Sequence, residues 1–233
     1  MLLAFGCGGG SGGSGGPGPF EAGDDPGRGT GTLRVEARIE SEPDRGETSV
    51  DDDAMRTRFE VDVRDASGAR VGGARVVVDS VFGQVTLREG GCGRDYCGEQ
   101  SGYAPAYALE VERGADYVEG VRIQSPPWHR VTQPDAGANV PGDEPLRVVW
   151  SPTGADRAHV ETHEYRIELD GDPGSHEIPV GGLRSRDDRL EEERIRVRRE
   201  RRLGISGVLE SGTIVVSVRN GIELTVSPVP NSR

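Results

Sequence analysis

Lysine is absent: all 28 basic residues of the 233-residue chain are Arg. That removes a phosphate-loop lysine, a Schiff base and a pyridoxal anchor from the possible chemistry. Apolar residues are also scarce, at 33% of the chain, and no run of 18 exists, so no segment reads as a membrane-crossing helix. Positive charge is outnumbered, with 40 acidic residues and a formal net charge of −12, which argues against nucleic acid as a partner. Aromatic residues make up 5% and cysteines number three. What is abundant is glycine, at 36 residues, and the 15 prolines bring the pair to roughly twice ordinary usage. Val outnumbers Leu and Ile together, a bias toward strand over helix.

Thirteen of the glycines lie in the first 31 residues. The stretch from Gly8 to Gly31 has almost no apolar surface to bury and reads as a disordered, Gly/Ser-rich tether. Just before it stands Met1-Leu2-Leu3-Ala4-Phe5-Gly6-Cys7: a short apolar run, a small residue, then a cysteine. This resembles the cleavage box of bacterial lipoproteins. The resemblance implies lipidation of Cys7, a membrane anchor through it and, with Gly8 following, an outer-membrane address in the cell envelope. A secretory signal needs a basic start and an apolar core of about 7–15 residues. The expectation is therefore that residues 1–7 are a truncated signal and lipobox whose beginning lies upstream of Met1.

Lipidation of Cys7 leaves Cys92 and Cys97, separated by Gly-Arg-Asp-Tyr in a glycine-flanked loop. A four-residue spacer can bring their Cα atoms within disulfide range, and the pair is expected to be bonded. Free thiols or half a zinc site are the other readings; no second Cys pair or nearby His completes four ligands.

From Thr32 the pattern alternates. Leu33, Val35, Ala37 and Ile39 point one way, and Arg34, Glu36, Arg38 and Glu40 the other. Similar short strands recur around Phe59–Val63, Ala74–Val78, Val85–Leu87, Tyr107–Val111 and Val121–Ile123, at a spacing that suggests a sandwich. Ser125-Pro126-Pro127 is a rigid break. Beyond it come Leu146–Trp150, His163–Leu169, Ile178–Leu183, Ile195–Val197, and two C-terminal strands joined by a turn at Asn220-Gly221. The expected fold is all-β: two consecutive small β-sandwich domains, Ig-like or transthyretin-like, over 32–125 and 126–230, after the tether of 8–31.

The stretch Phe59–Leu87, with its Asp65-Ala66-Ser67-Gly68 turn and Val71-Gly72-Gly73-Ala74, resembles the carboxypeptidase regulatory-like (transthyretin-like) sandwich. That likeness implies a non-catalytic accessory domain. "LRVVWSP", containing Trp150, and "EYRIEL" resemble strands B and C of a fibronectin type III or Ig-like module, with Trp150 in its core.

Candidate chemistry is sparse. His159 and His163, four apart, could share one strand face, but no third or fourth metal ligand can be named, and they read as solvent-facing. Asp51-Asp52-Asp53 and Asp170-Gly171-Asp172 could chelate calcium, though neither has EF-hand spacing; both read more simply as turns. Arg184–Arg202 holds nine Arg and six acidic residues. Its bland reading is an exposed strand guarded against edge pairing, and its sharper one is a patch for an anionic polysaccharide or lipid. A short helix over Asp187–Glu193 is a further option. Trp128 reads as a domain-junction aromatic. No serine-hydrolase, zincin or Cys–His signature is present. Catalytic residues, cofactors and metals are therefore expected to be none. The functional expectation is an envelope lipoprotein displaying β-sandwiches for binding or spacing. An accessory subunit of a surface hydrolase system and a soluble intracellular β-protein stand as alternatives.

Overall fold

A computed structural model describes residues 23–92, 96–186 and 189–228. Every regular element among them is a strand. The first part of the chain holds β1 (Asp25–Gly29), β2 (Arg34–Pro43), β3 (Met55–Arg64), β4 (Arg75–Ser80), β5 (Gly83–Thr86) and β6 (Arg88–Glu89). It continues with β7 (Tyr96–Ser101), β8 (Ala106–Arg113) and β9 (Asp116–Gln124). The second part holds β10 (Arg130–Gln133), β11 (Asn139–Pro141), β12 (Leu146–Ser151), β13 (Arg157–Glu161), β14 (Arg166–Asp170) and β15 (Ser175–Ile178). Two long strands close the chain, β16 (Glu191–Ile205) and β17 (Gly212–Ser227).

These strands build two sandwiches. A five-stranded sheet, β1-β9-β8-β4-β5, and a three-stranded sheet, β10-β12-β15, each pack on one nine-stranded sheet. The large sheet runs β14-β13-β16-β17-β2-β3-β7-β6, with β11 added alongside β17. Period-two alternation sets the faces: Val35, Ile39, Phe59 and Val61 turn inward to meet Val76, Tyr107 and Leu109 of the five-stranded sheet. Each such fully buried side chain contributes about 1.5–3 kcal/mol. The second core gathers Val148 and Trp150 with Val160, Ile195, Val197 and Leu224.

The two cores do not part at a single point after Ser125. Strands β16 and β17 pair along their whole length, from Glu191↔Val226 to Ile205↔Gly212. At about 3.3 Å per residue that ribbon is roughly 50 Å long. Its distal half carries Ile205, Ile214 and Val216 into the first core, where β2 adds in parallel, Thr213↔Glu36 to Val218↔Ser41. Its proximal half carries Ile195, Ile222 and Val226 into the second, where β13 adds, Arg157↔Glu200 to Glu161↔Arg196. The division at 125/126 thus separates β1–β9 from β10–β15, while the terminal hairpin belongs to both.

Several expectations change here. Asn220-Gly221 is not a turn; it lies inside β17, paired with Val197 and Arg196. The glycine is there because β16 comes so close: a Cβ at Gly221 would sit 2.3 Å from the Ile195 carbonyl oxygen. The real turn is Ser206–Ser211, pinned by β1 through Ser206 N to Pro26 O at 2.7 Å and, just past β1, by Gly31 N to Gly207 O at 2.8 Å. Hence residues 25–29, read as tether, form an edge strand that pairs with β9 and seals the hairpin tip. Gly207 permits this contact, since a Cβ there would lie 1.9 Å from Gly29 N. Residues 8–22 and Cys7 lie outside the described residues. Glu191–Glu193 begin β16 instead of ending a helix, while Asp187 and Asp188 lie outside the described residues. The arginine-rich strand is central, paired on both sides, and not an edge.

Gly221→Val should drive β16 and β17 apart and lower stability by about 2 kcal/mol or more, read as a lower urea midpoint. An unchanged midpoint would return Asn220-Gly221 to an open turn.

Candidate functional site

The most organised polar constellation sits where the two sandwiches meet. The inward phase Ile195, Val197 continues to Arg199, which is therefore fully buried. Its Nε donates to Asp172 Oδ2 at 2.8 Å, its Nη1 donates to the Pro127 carbonyl at 2.7 Å, and Nη2 lies 2.5 Å from Asp172 Oδ2. Asp172 is buried as well, with its side chain 2% exposed. It accepts from Trp150 Nε1 at 2.7 Å and from the backbone N–H groups of Gly154 and Ala155 at 2.8 and 3.1 Å. Burial alone would raise its pKa; the hydrogen bonds from Trp150 and Arg199 outweigh that and hold the carboxyl below its ordinary value. Asp170-Gly171 does not make the expected turn: Asp170 ends β14 opposite Arg157, and Gly171, at φ 75°, continues the ladder by donating its N–H to Asp156 O at 3.0 Å. Asp172 instead anchors the joint. Deleting one partner of such a pair strands the other charge, a loss of about 3–5 kcal/mol.

The connecting segment is gripped residue by residue. Ser125 Oγ donates to Ala104 O at 2.7 Å and its N–H to Pro105 O at 2.8 Å, and the Tyr103 hydroxyl donates to Pro126 O. Trp128 packs against Met55, Tyr103 and Val218, as a junction aromatic should, with the Arg130 guanidinium 4.9 Å from its ring centre. Buried His129 bonds through Nε2 to Val197 O at 3.0 Å, which assigns the proton to Nε2. Burial first, and the Arg199 charge second, push its pKa down to about 3. Asn220 completes the lock: Nδ2 donates to Ser49 O at 3.0 Å and His129 O at 2.8 Å, and Oδ1 accepts from Ser49 N at 2.9 Å. One side chain thus ties the first module, the connector and the shared hairpin.

Other expected sites are dispersed. Cys92 and Cys97 form a disulfide, Cα–Cα 6.2 Å, across the β6–β7 turn. It borders an open cleft of about 450 Å³ lined by Phe59, Val85 and Arg88 among others. His159 is buried, not solvent-facing, 3.6 Å from Glu200, and burial, then Arg198, lowers its pKa. His163 lies beyond the end of β13 and bonds to buried Glu193 at 2.6 Å. The two histidines therefore diverge, and among the described residues no cluster of three or more His, Cys, Asp or Glu could hold a metal. Asp51–Asp53 lie exposed in a loop. The outward arginines of β16 are paired with carboxylates: Arg196 is bidentate to Glu47, far off in sequence, at 2.6 and 2.9 Å, and Arg198 meets Glu200 of its own strand at 2.9 Å. The hydrogen bond from Arg196 keeps the Glu47 pKa low against its burial.

Arg199 escaped sequence reasoning because it is one of nine arginines in a run. The signal was its phase: it continues the inward register of Ile195 and Val197. Asn220 is masked by its glycine neighbour, which suggests a turn, and His129 carries no local signal at all.

No protein-family model matches the chain, and no curated protein matches it. Among solved structures it is similar to the fibronectin(III)-like modules of Clostridium thermocellum CbhA, at 10% identity over 85% of this chain and 94% of that one, TM-score 0.29. It is similar also to the IG1+IG2 pair of DIP-gamma, at 9% identity over 85% and 99%, TM-score 0.24. A third likeness is to Escherichia coli alpha-2-macroglobulin, at 14% identity over 83% of this chain and 23% of that one, TM-score 0.24. The likeness is one of β-sandwich fold class alone.

The pH dependence follows from His129. The unfolded chain protonates it near 6.5 and the folded chain only near 3, so the unfolded state binds the extra proton and stability falls as pH drops below 6.5. Between pH 7 and 5 this removes about 2 kcal/mol, a window above the one in which Asp172 titrates. His129→Gln should reduce the dependence of the urea midpoint over that range, leaving the part that His159 and His176, also lowered by burial, contribute; an identical slope in both proteins would contradict the buried neutral histidine.

Proposed function

We propose that this chain is a non-catalytic cell-envelope protein, held at a membrane by lipid on Cys7, whose two sandwiches act as one stiff body for binding or spacing. The observation that carries the reading is the β16–β17 ribbon, unbroken through both cores. Tandem domains joined by a linker alone move relative to one another by default. Here a continuous ladder and a buried polar joint oppose that motion. A body that keeps a fixed length suits spacing and display, and the likeness of Phe59–Leu87 to a carboxypeptidase regulatory-like sandwich accords with an accessory role. The anchor rests on sequence: Ala4-Phe5-Gly6-Cys7 and the glycine-rich stretch after it. Lipoprotein lipidation supplies more than one chain, which stable anchoring needs, and Gly8 favours the outer membrane.

Spin labels on Arg113→Cys and Asp143→Cys, in the full chain carrying Cys7→Ser, should give one narrow distance distribution by electron–electron resonance. A broad distribution would mean two hinged modules and sink the spacer reading. In cells, Cys7→Ser should move the protein from the membrane to the soluble fraction; unchanged membrane association would sink the anchor.

A further inference from the structure

Sheet edges offer unpaired backbone N–H and C=O groups to any extended chain, and proteins guard them with proline, glycine, bulges, short length or charge. Among the described residues the three sheets end on β1, β5, β10, β15, β6 and β14. Five of these are guarded. Strand β1 contains Pro26, Gly27 and Gly29, β5 is four residues opening on Gly83, and β6 is two residues. In β10 the register slips between Val131 and Gln133, with Pro134 next, and β15 is four residues closed by Pro179. Strand β14, Arg166-Ile167-Glu168-Leu169-Asp170, has no proline, glycine or bulge, and it pairs with β13 in unbroken register. Its outer-face residues Arg166, Glu168 and Asp170 are exposed. None of the hydrogen bonds of the described residues uses the other side of its backbone.

Charge is the remaining guard, and its order along β14 is self-complementary. We infer that β14 is a self-pairing edge, through which a second copy of this chain adds antiparallel about a two-fold axis at Glu168. In that register each Arg166 stands opposite the partner's Asp170, an attractive cross-strand pair on the outer face. Ile167 stands opposite the partner's Leu169 on the inner face, where both already border the second core. The two Glu168 carboxylates meet at the axis, and each is already ion-paired to Arg157 of its own copy. The contact is isologous and closes on itself, joining two nine-stranded sheets into one. A five-residue pair is well below a standard interface, so it suits copies concentrated on one surface. It does not depend on Cys7.

The two-fold register makes a sharp test. Directly opposite residues of an antiparallel pair have Cα atoms about 4.5–5.5 Å apart, inside disulfide range, so Glu168→Cys faces itself across the axis. In the full chain with Cys7→Ser, concentrated enough to match crowding on a surface, mild oxidation should link Glu168→Cys copies roughly tenfold or more faster than Glu223→Cys copies, whose exposed cysteine meets another only by collision. Adding Arg166→Asp should drop the rate to that of the Glu223→Cys control, and adding Asp170→Arg to that variant should restore it. A Glu168→Cys rate equal to the control overturns the pairing. So does a fast rate that Arg166→Asp leaves untouched, or one that the charge swap does not rescue, because either places a different contact at this edge.

Discussion

One hydrogen-bonded ribbon organises this molecule. Fifteen pairs join β16 to β17, from Glu191↔Val226 to Ile205↔Gly212. Because side chains alternate strictly, a one-residue slip of β16 would turn Ile195, Val197 and Ile205 out of both cores at once, and a slip of β17 would do the same to Ile214, Val216 and Ile222. The register is therefore fixed twice, once in each sandwich, and each sandwich fixes it for the other. The parallel addition of β2 at one half and the antiparallel addition of β13 at the other leave the ribbon no free side along much of its length. Residues 25–31 then fasten the distal turn.

The polar joint plays a different role from the apolar cores. Burying Arg199 and Asp172 together gains little over an apolar pair of the same shape, since desolvation offsets most of the attraction. What it supplies is direction. Asp172 accepts from Trp150, Arg199 and two backbone N–H groups, and Arg199 in turn holds Pro127 O. Only one placement of the connector satisfies all of these groups. Asn220 adds the same kind of constraint between Ser49, His129 and β17. An apolar joint could slide, whereas this one has a single seat, which is what a body of fixed length requires.

How much of this was legible depends on the range of the interaction. Alternation over Leu33–Ile39, Phe59–Val63 and Leu146–Trp150 located strands, and the all-β sandwich fold with Trp150 in a core followed. The Cys92–Cys97 bond was readable from a short spacing. Long-range partnership was not. Nothing near Gly221 announces that Ile195 O will lie against it, so a short-range turn preference was the better local guess and the wrong one. In the same way, Arg196 looks like part of a basic surface because Glu47, its partner, is about 150 residues earlier in sequence. Arg199 was the recoverable miss: phase, not composition, marked it as internal. Residues 25–29 have the composition of a tether, and only their ladder with β9 makes them a strand.

The central claim is that the two sandwiches form one cooperative body through the shared ribbon. Native-state hydrogen exchange tests it most directly, by comparing amides in strands outside the ribbon, Leu109 in β8 and Val148 in β12, as denaturant is added. Equal opening free energies with equal denaturant dependence, matching global unfolding, are the predicted result. If one sandwich opens at lower free energy, with a smaller denaturant dependence, while the other stays closed, the ribbon does not couple them and the account is wrong.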